Sequence, residues 1–262
     1  MTLPLAGVAV VVTRPRAQAA RFAGLMRDAG ATPILLPALE IEPVELDAAT
    51  RARLAPDDFD WTIYTSANAV ECALRQLPRP GGTRVAAIGR ATARALEERG
   101  MAVHAVPAGA SESEGLLALA SFAAPAGQRI LILKGEGGRT LLREELARRG
   151  AEVVTGDVYR RVAAVPDDAA LAEIGRAGER GPVVVAATSA ESLAALLEAV
   201  PDANLTRLRD AALLVPGERV AAAARTLGWR GPLLLARSAE DGAMADALIA
   251  ARVPGGPPSA PC

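Results

Sequence analysis

The feature that most constrains this chain is a recurring alternation: a short, wholly apolar run, a small or polar turn, then a segment with helical spacing. The runs fall at residues 8–12, 61–64, 85–88, 130–133, 183–186, 213–215 and 233–235. Consecutive apolar residues without alternation read as strands covered on both faces, the environment of a parallel sheet. The spacing predicts helices over residues 18–29, with Phe22, Leu25 and Met26 on one face, and over 140–149, with Leu141, Leu142 and Leu146. Gly30 and Gly150 follow them, the residue type favoured just past a helix end. The fold class is therefore α/β with parallel sheets.

The 262 residues fit one large domain or two small ones. Internal similarity favours two. Thr65-Ser66-Ala67 and Thr188-Ser189-Ala190 each join a strand end to a helix start, and runs ending in Gly89 and Gly217 each lead into a helix. Residues 103–106, with a helix from Ser113, match 233–235, with a helix from Ser238; residues 8–30 match 130–150. These matches take a compatible order only if the first unit completes the second half. The expectation is two similar parallel-sheet α/β domains, one inserted in the other and joined by a two-stranded linker. The first comprises 1–36 plus 166–253, the inserted one 45–153, and the linker strands 37–44 and 154–165. Ordinary edge strands are the alternative for the two linker segments. The Pro/Gly/Ser-rich tail, 254–262, is expected to be disordered.

Composition removes several chemistries. The chain has one His (His104), one Lys (Lys134) and two Cys, Cys72 and Cys262. No zinc cluster of His and Cys can be assembled, and a structural disulfide to the terminal Cys262 is not expected. A net charge of −1 gives no bulk electrostatic reason to bind nucleic acid or an anionic membrane. No long apolar run spans a membrane, and the N-terminus lacks a basic signal region, so a cytoplasmic location is expected. An enzyme with so little catalytic hardware works by binding and positioning.

In open α/β sheets, ligands bind beyond the carboxyl ends of the strands. Here those ends carry Thr13 and Arg14; Thr65, Ser66 and Asn68; Gly89 and Thr92; Lys134; Thr188 and Ser189; and Gly217, with Ser113 opening a further helix. Hydroxyls, cations and free backbone N–H groups at helix starts suit a ligand with several anionic groups. Ser, Thr and Asn are also common helix caps, so each taken singly has a structural explanation. The glycines after Lys134 fit neither a Walker A loop nor a dinucleotide fingerprint. Tyr159, one of two tyrosines, lies in the linker segment; local sequence alone reads it as structural.

The stretches VVVTRP, YTSANAV, AAIGRATARAL, SESEGLLALA, ILILKGEGGRTLLREELARRGAEV, GDVYRR and AATSAESL resemble the uroporphyrinogen-III synthase family in order and spacing, with LLVPGERVAAAARTLG a weaker match. The resemblance implies two α/β domains with the substrate in the cleft between them, and no metal or organic cofactor. It implies a lyase of tetrapyrrole biosynthesis acting on hydroxymethylbilane, a polycarboxylate. Water is lost to give an azafulvene, and the macrocycle closes with ring D inverted. It places Tyr159 on the tyrosine proposed to assist hydroxyl departure, Thr92 on a threonine important to its turn, and Thr65, Ser66, Gly89 and Ser189 on ligand-facing turns. Arg14 and Lys134 are candidate carboxylate contacts, with structural ion pairs as the alternative. A monomer is expected, with no nucleic-acid or membrane partner. One position departs from the family: a turn that often reads Gly-x-x-Thr is here Gly217-Glu218-Arg219-Val220. A non-catalytic two-lobed anion-binding or regulatory relative is the competing reading.

Overall fold

A computed structural model describes residues 3–108, 113–138 and 140–251. The tail read as disordered, and Cys262, lie outside those residues. The chain separates into two compact units, unit 1 within 1–40 and 162–262, unit 2 within 41–161. Among the described residues the strands are β1 (Ala9–Val12), β2 (Thr32–Leu35), β3 (Leu39–Pro43), β4 (Trp61–Tyr64), β5 (Arg84–Ala87), β6 (Arg129–Gly135), β7 (Glu152–Ala163), β8 (Val183–Ala186), β9 (Ala212–Pro216) and β10 (Leu233–Ala236).

Unit 1 is built on a sheet of order β10-β9-β8-β1-β2, in which every neighbouring pair is parallel. Its two faces are both covered. Val11 packs with Leu171, Leu193 and Trp229 on one side, while Val10 and Val12 pack with Phe22, Met26 and Met244 on the other. Burying each such side chain contributes roughly 1.5–3 kcal/mol, which is why the central strands β1, β8 and β9 are apolar at every position.

Unit 2 has the order β3-β7-β6-β4-β5, with β7–β6, β6–β4 and β4–β5 parallel. Leu131 and Leu133 of β6 enter one apolar layer, Ile130 and Ile132 the other. The two segments read as linkers pair as β3 and β7 within this sheet, and unit 2 begins and ends inside them.

The two sheets share one winding. In unit 1 the chain runs from β1 to β2 in one direction and from β8 to β9 and β10 in the other. In unit 2 it runs from β6 to β7 and, oppositely, from β4 to β5. A reversal of this kind opens a crevice at the strand carboxyl ends, here between β1 and β8 and between β6 and β4. The helices Arg16–Asp28 and Leu141–Arg148, which follow β1 and β6, end at equivalent left-handed glycines, Gly30 (φ 93°) and Gly150 (φ 89°).

Three local expectations need correction. β2 has no counterpart among the apolar runs read from the sequence; it contains Pro33 and lies at the sheet edge, where a missing N–H is tolerated. Residues 103–106 make a single bridge, Ala86 to Ala105, rather than a strand. The helix expected from Ser238 begins at Asp241. His104 has a structural task here: its Nδ1 accepts the Val85 N–H at 3.0 Å on the open side of β5.

Candidate active site

Unit 2 contains a cavity of about 540 Å³ at the carboxyl ends of β4, β5 and β6, beside β7. That volume is in the range of small-molecule sites, and the place is the unit's switch point. Four sequence-derived candidates line it: Thr65, Ser113, Lys134 and Tyr159. Ser66 joins them through Tyr159, while Asn68, Gly89 and Thr92 belong to the same unit without lining the cavity.

β7 supplies the cavity wall by simple alternation. Successive side chains in a strand point to opposite faces, and Thr155, Asp157, Tyr159 and Arg161 all face the cavity. Between them, Gly156 lies so close to Leu54 that an added Cβ would come within 2.6 Å of its Cδ1. The ladder to β6 slips once. Lys134 pairs with Asp157 and Gly135 with Tyr159, leaving Val158 as an extra residue. This bulge seats the Tyr159 ring directly on Gly135, where a Cβ would lie 2.6 Å from Cζ. The Glu136 N–H donates to Tyr159 O at 2.8 Å and fixes the backbone there.

The Tyr159 ring is buried, 1% exposed. Its Oη accepts from Ser66 Oγ at 3.1 Å and from Arg161 Nη2 at 3.1 Å, and the Arg161 guanidinium lies 5.5 Å from the ring centroid. Ser66 is the N-cap of helix Ala67–Ala73, its Oγ accepting the Ala69 N–H at 3.0 Å. Tyr64, the other tyrosine, is enclosed by apolar side chains, and burial pushes its phenol well above the usual range. Lys134 Nζ pairs with Asp157 at 2.7 Å and donates to Gly135 O and Gly137 O. It therefore fastens the glycine-rich turn as well as placing charge in the cavity. Thr65 Oγ1 donates to Leu133 O at 3.3 Å, and Ser113 is buried at the start of helix Ser113–Leu117. Thr92 is buried, and Gly89 caps helix Arg90–Glu97.

Unit 1 carries the remaining candidates. Thr13 is fully buried, its hydroxyl donating to Ala186 O at 2.9 Å between β1 and β8. Arg14 is paired with Asp241, donates to Ala239 O at 2.8 Å, and stacks 5.3 Å from the Phe22 centroid; burial lowers its pKa, against the opposing pull of Asp241. Thr188 precedes Ser189, which forms a capping box with Ser192 at the start of helix Ala190–Ala199. Ser189→Ala is expected to cost about 1 kcal/mol through the lost cap, measured by urea denaturation, with Ser189→Asp retaining the stability. Gly217 opens helix Gly217–Thr226, and Val220 is buried in the apolar layer of β9. The position that departs from the family thus lies in an apolar core, and Thr92, at the matching place in unit 2, is likewise buried.

Several cavity residues were not singled out from the sequence: Thr155, Asp157, Arg161, Thr140 and Arg143. The first three had a readable signal, the polar residue at every second position from 155 to 161. Among the described residues no group of three His, Cys, Asp or Glu is placed to hold a metal ion, and no helix is long and apolar enough to cross a membrane.

Two mostly parallel α/β sheets of like winding, one with a cavity at its switch point lined by hydroxyls, by Lys134, Arg143 and Arg161 and by the Asp157 carboxylate, define a two-unit α/β protein with a site of small-molecule size. The family model for Uroporphyrinogen-III synthase HemD matches residues 20–245. The uroporphyrinogen-III synthase of Salmonella typhimurium is 34% identical over 251 residues, 92% of this chain and all of that protein. That of Escherichia coli K12 is 34% identical over 248 residues, with 92% and 100% covered. The crystal structure of a mutant uroporphyrinogen III synthase from the extremely thermophilic bacterium Thermus thermophilus is 25% identical, with a TM-score of 0.56 over 93% of this chain and 98% of that one. The Helicobacter pylori 26695 enzyme shares the fold at 17% identity, with a TM-score of 0.63 over 93% and 99%. The chain belongs to the uroporphyrinogen-III synthase family.

Proposed function

We propose that this chain cyclises hydroxymethylbilane to uroporphyrinogen III with loss of water, as a lyase of tetrapyrrole biosynthesis, and that Tyr159 is its acid. The observation that carries the reading, in a chain of this family, is the Tyr159 hydroxyl held by Ser66 and Arg161 on the wall of the unit 2 cavity. The substrate's hydroxyl leaves as its C–O bond breaks, the electron pair going to oxygen. Tyr159 gives that oxygen its proton, and water departs. The pyrrole that remains is an electron-poor azafulvene. The terminal ring attacks it through its substituted carbon to give a spiro intermediate, which reopens and recloses with ring D inverted. The proton released on closure balances the one supplied at the start, so the phenol is regenerated.

The substrate closes to the type I isomer without an enzyme, so the protein has to favour one of two closures. Positioning supplies that choice: the hydroxyls of Ser113 and Thr140 are neutral donors and Arg143 is a cation on the cavity wall where carboxylates of the substrate would be held, while the Thr65 hydroxyl and the Lys134 ammonium are spent on Leu133 O, Asp157 and the glycine-rich turn. In unit 1, the helix starts at Ser189 and Gly217 offer backbone N–H groups of the same kind.

A coupled assay tests the reading. The purified chain is supplied with freshly generated hydroxymethylbilane, and the oxidised product isomers are resolved. The type III isomer is expected to dominate. Type I alone, as in the enzyme-free control, overturns the function.

A further inference from the structure

We propose that Arg161 is the positioning residue of Tyr159, holding the phenol so that its proton goes to the leaving hydroxyl and standing against the negative charge left behind. The inference rests on Tyr159 being the acid of the reaction above. Arg161 follows Tyr159 by two residues on β7, so both side chains lie on the cavity face. Arg161 meets the phenol in two ways at once: Nη2 donates to Oη at 3.1 Å, and the guanidinium lies 5.5 Å from the ring centroid. The second donor to the same oxygen is Ser66 Oγ at 3.1 Å, itself anchored by the Ala69 N–H.

A phenolic oxygen has two acceptor directions and one proton. With two donors in place, the acceptor directions are filled. Arg161 has no lone pair to take the proton, because a guanidinium only donates. The phenol's proton is thereby kept for a third partner. Gly135 beneath the ring prevents the hydroxyl from escaping this geometry by sliding toward β6. When the proton leaves, the phenolate oxygen already has a fixed cation and a hydroxyl donor at hydrogen-bond distance. Such preorganised groups stabilise developing charge without reorganising at the moment of reaction.

The test is a double-mutant cycle on the whole chain, read as kcat and KM for type III formation. Arg161→Met is expected to lower kcat roughly 10–100-fold, the cost of misplacing a reacting group. KM should move by less than about threefold, since the lost interaction acts in the transition state. In a Tyr159→Phe background the same substitution should have no further effect, because there is no phenolic proton to position. Arg161→Lys, which keeps the charge, should recover part of the loss. Arg161 is exposed, and unchanged circular dichroism would show the variants folded. A raised KM with unchanged kcat would make Arg161 a carboxylate anchor and overturn the proposal, as would a full additional loss in the Tyr159→Phe background. Exclusive type I product from the unsubstituted chain overturns the assigned function and this inference together; the Arg161 outcomes overturn only the latter.

Discussion

Tyr159→Phe is expected to lower kcat roughly 10²–10⁴-fold, the range that a positioned general acid contributes. The substitution is conservative for the fold. The ring, 1% exposed and seated on Gly135, is kept; only the oxygen and its contacts with Ser66 and Arg161 are lost. Two such bonds are worth about 0.5–1.5 kcal/mol each, so the variant should unfold at slightly lower denaturant and still be native in the assay. Because substrate closes without help, the signature is an initial rate of type III formation that collapses while type I accumulates at the spontaneous rate. Unchanged kcat would return Tyr159 to a packing role, the reading that its local sequence favours.

Gly135→Ala is expected to reduce kcat by about 100-fold without touching any polar group of the site, since a displacement near 1 Å at a reacting group has that cost. The reason is geometric. A Cβ on Gly135 would lie 2.6 Å from Cζ and 2.8 Å from Cε2 of Tyr159. The ring has to move, and its hydroxyl moves farthest, away from Ser66 and Arg161. The accompanying destabilisation is the overpacking cost of about 1–3 kcal/mol. Thermal unfolding separates the two effects: a variant that is folded at the assay temperature and still slow has lost alignment rather than structure. Gly135→Ala with normal kcat would mean that the position of the phenol is not critical.

How legible the fold was follows from the nature of the strands. β1, β4, β5, β6, β8 and β9 could be read because burial on both faces leaves a largely apolar run, a signal in one dimension; β10 could be read because its run is apolar even though Leu235 is exposed at the sheet edge. β2 could not, because Pro33 and half-exposed neighbours erase that signal at a sheet edge. Residues 103–106 misled because an apolar run beside a sheet looks like a strand even where only one bridge forms. The helix ends at Gly30 and Gly150 were legible because a left-handed residue is a local requirement that glycine meets best.

The site divides in the same way. Thr65, Ser66, Ser189 and Gly217 announce themselves as helix starts at strand ends, which local sequence encodes. Whether such a residue faces a cavity, caps a helix or clasps two strands is not local. Thr13 spends its hydroxyl on Ala186, 173 residues away in sequence. Arg14 is taken up by Asp241, and Lys134 by Asp157 and two turn carbonyls. The sequence by itself determined a parallel α/β chain with repeated units, scarce catalytic side chains and a family resemblance. The tertiary structure alone decided that Gly135, Ser66 and Arg161 meet at one phenol. Apolar periodicity and turn chemistry act between near neighbours and are written along the chain. The bulge between β6 and β7 and the winding that brings β4 beside β6 join residues far apart in it, and those contacts exist only once the sheet has formed.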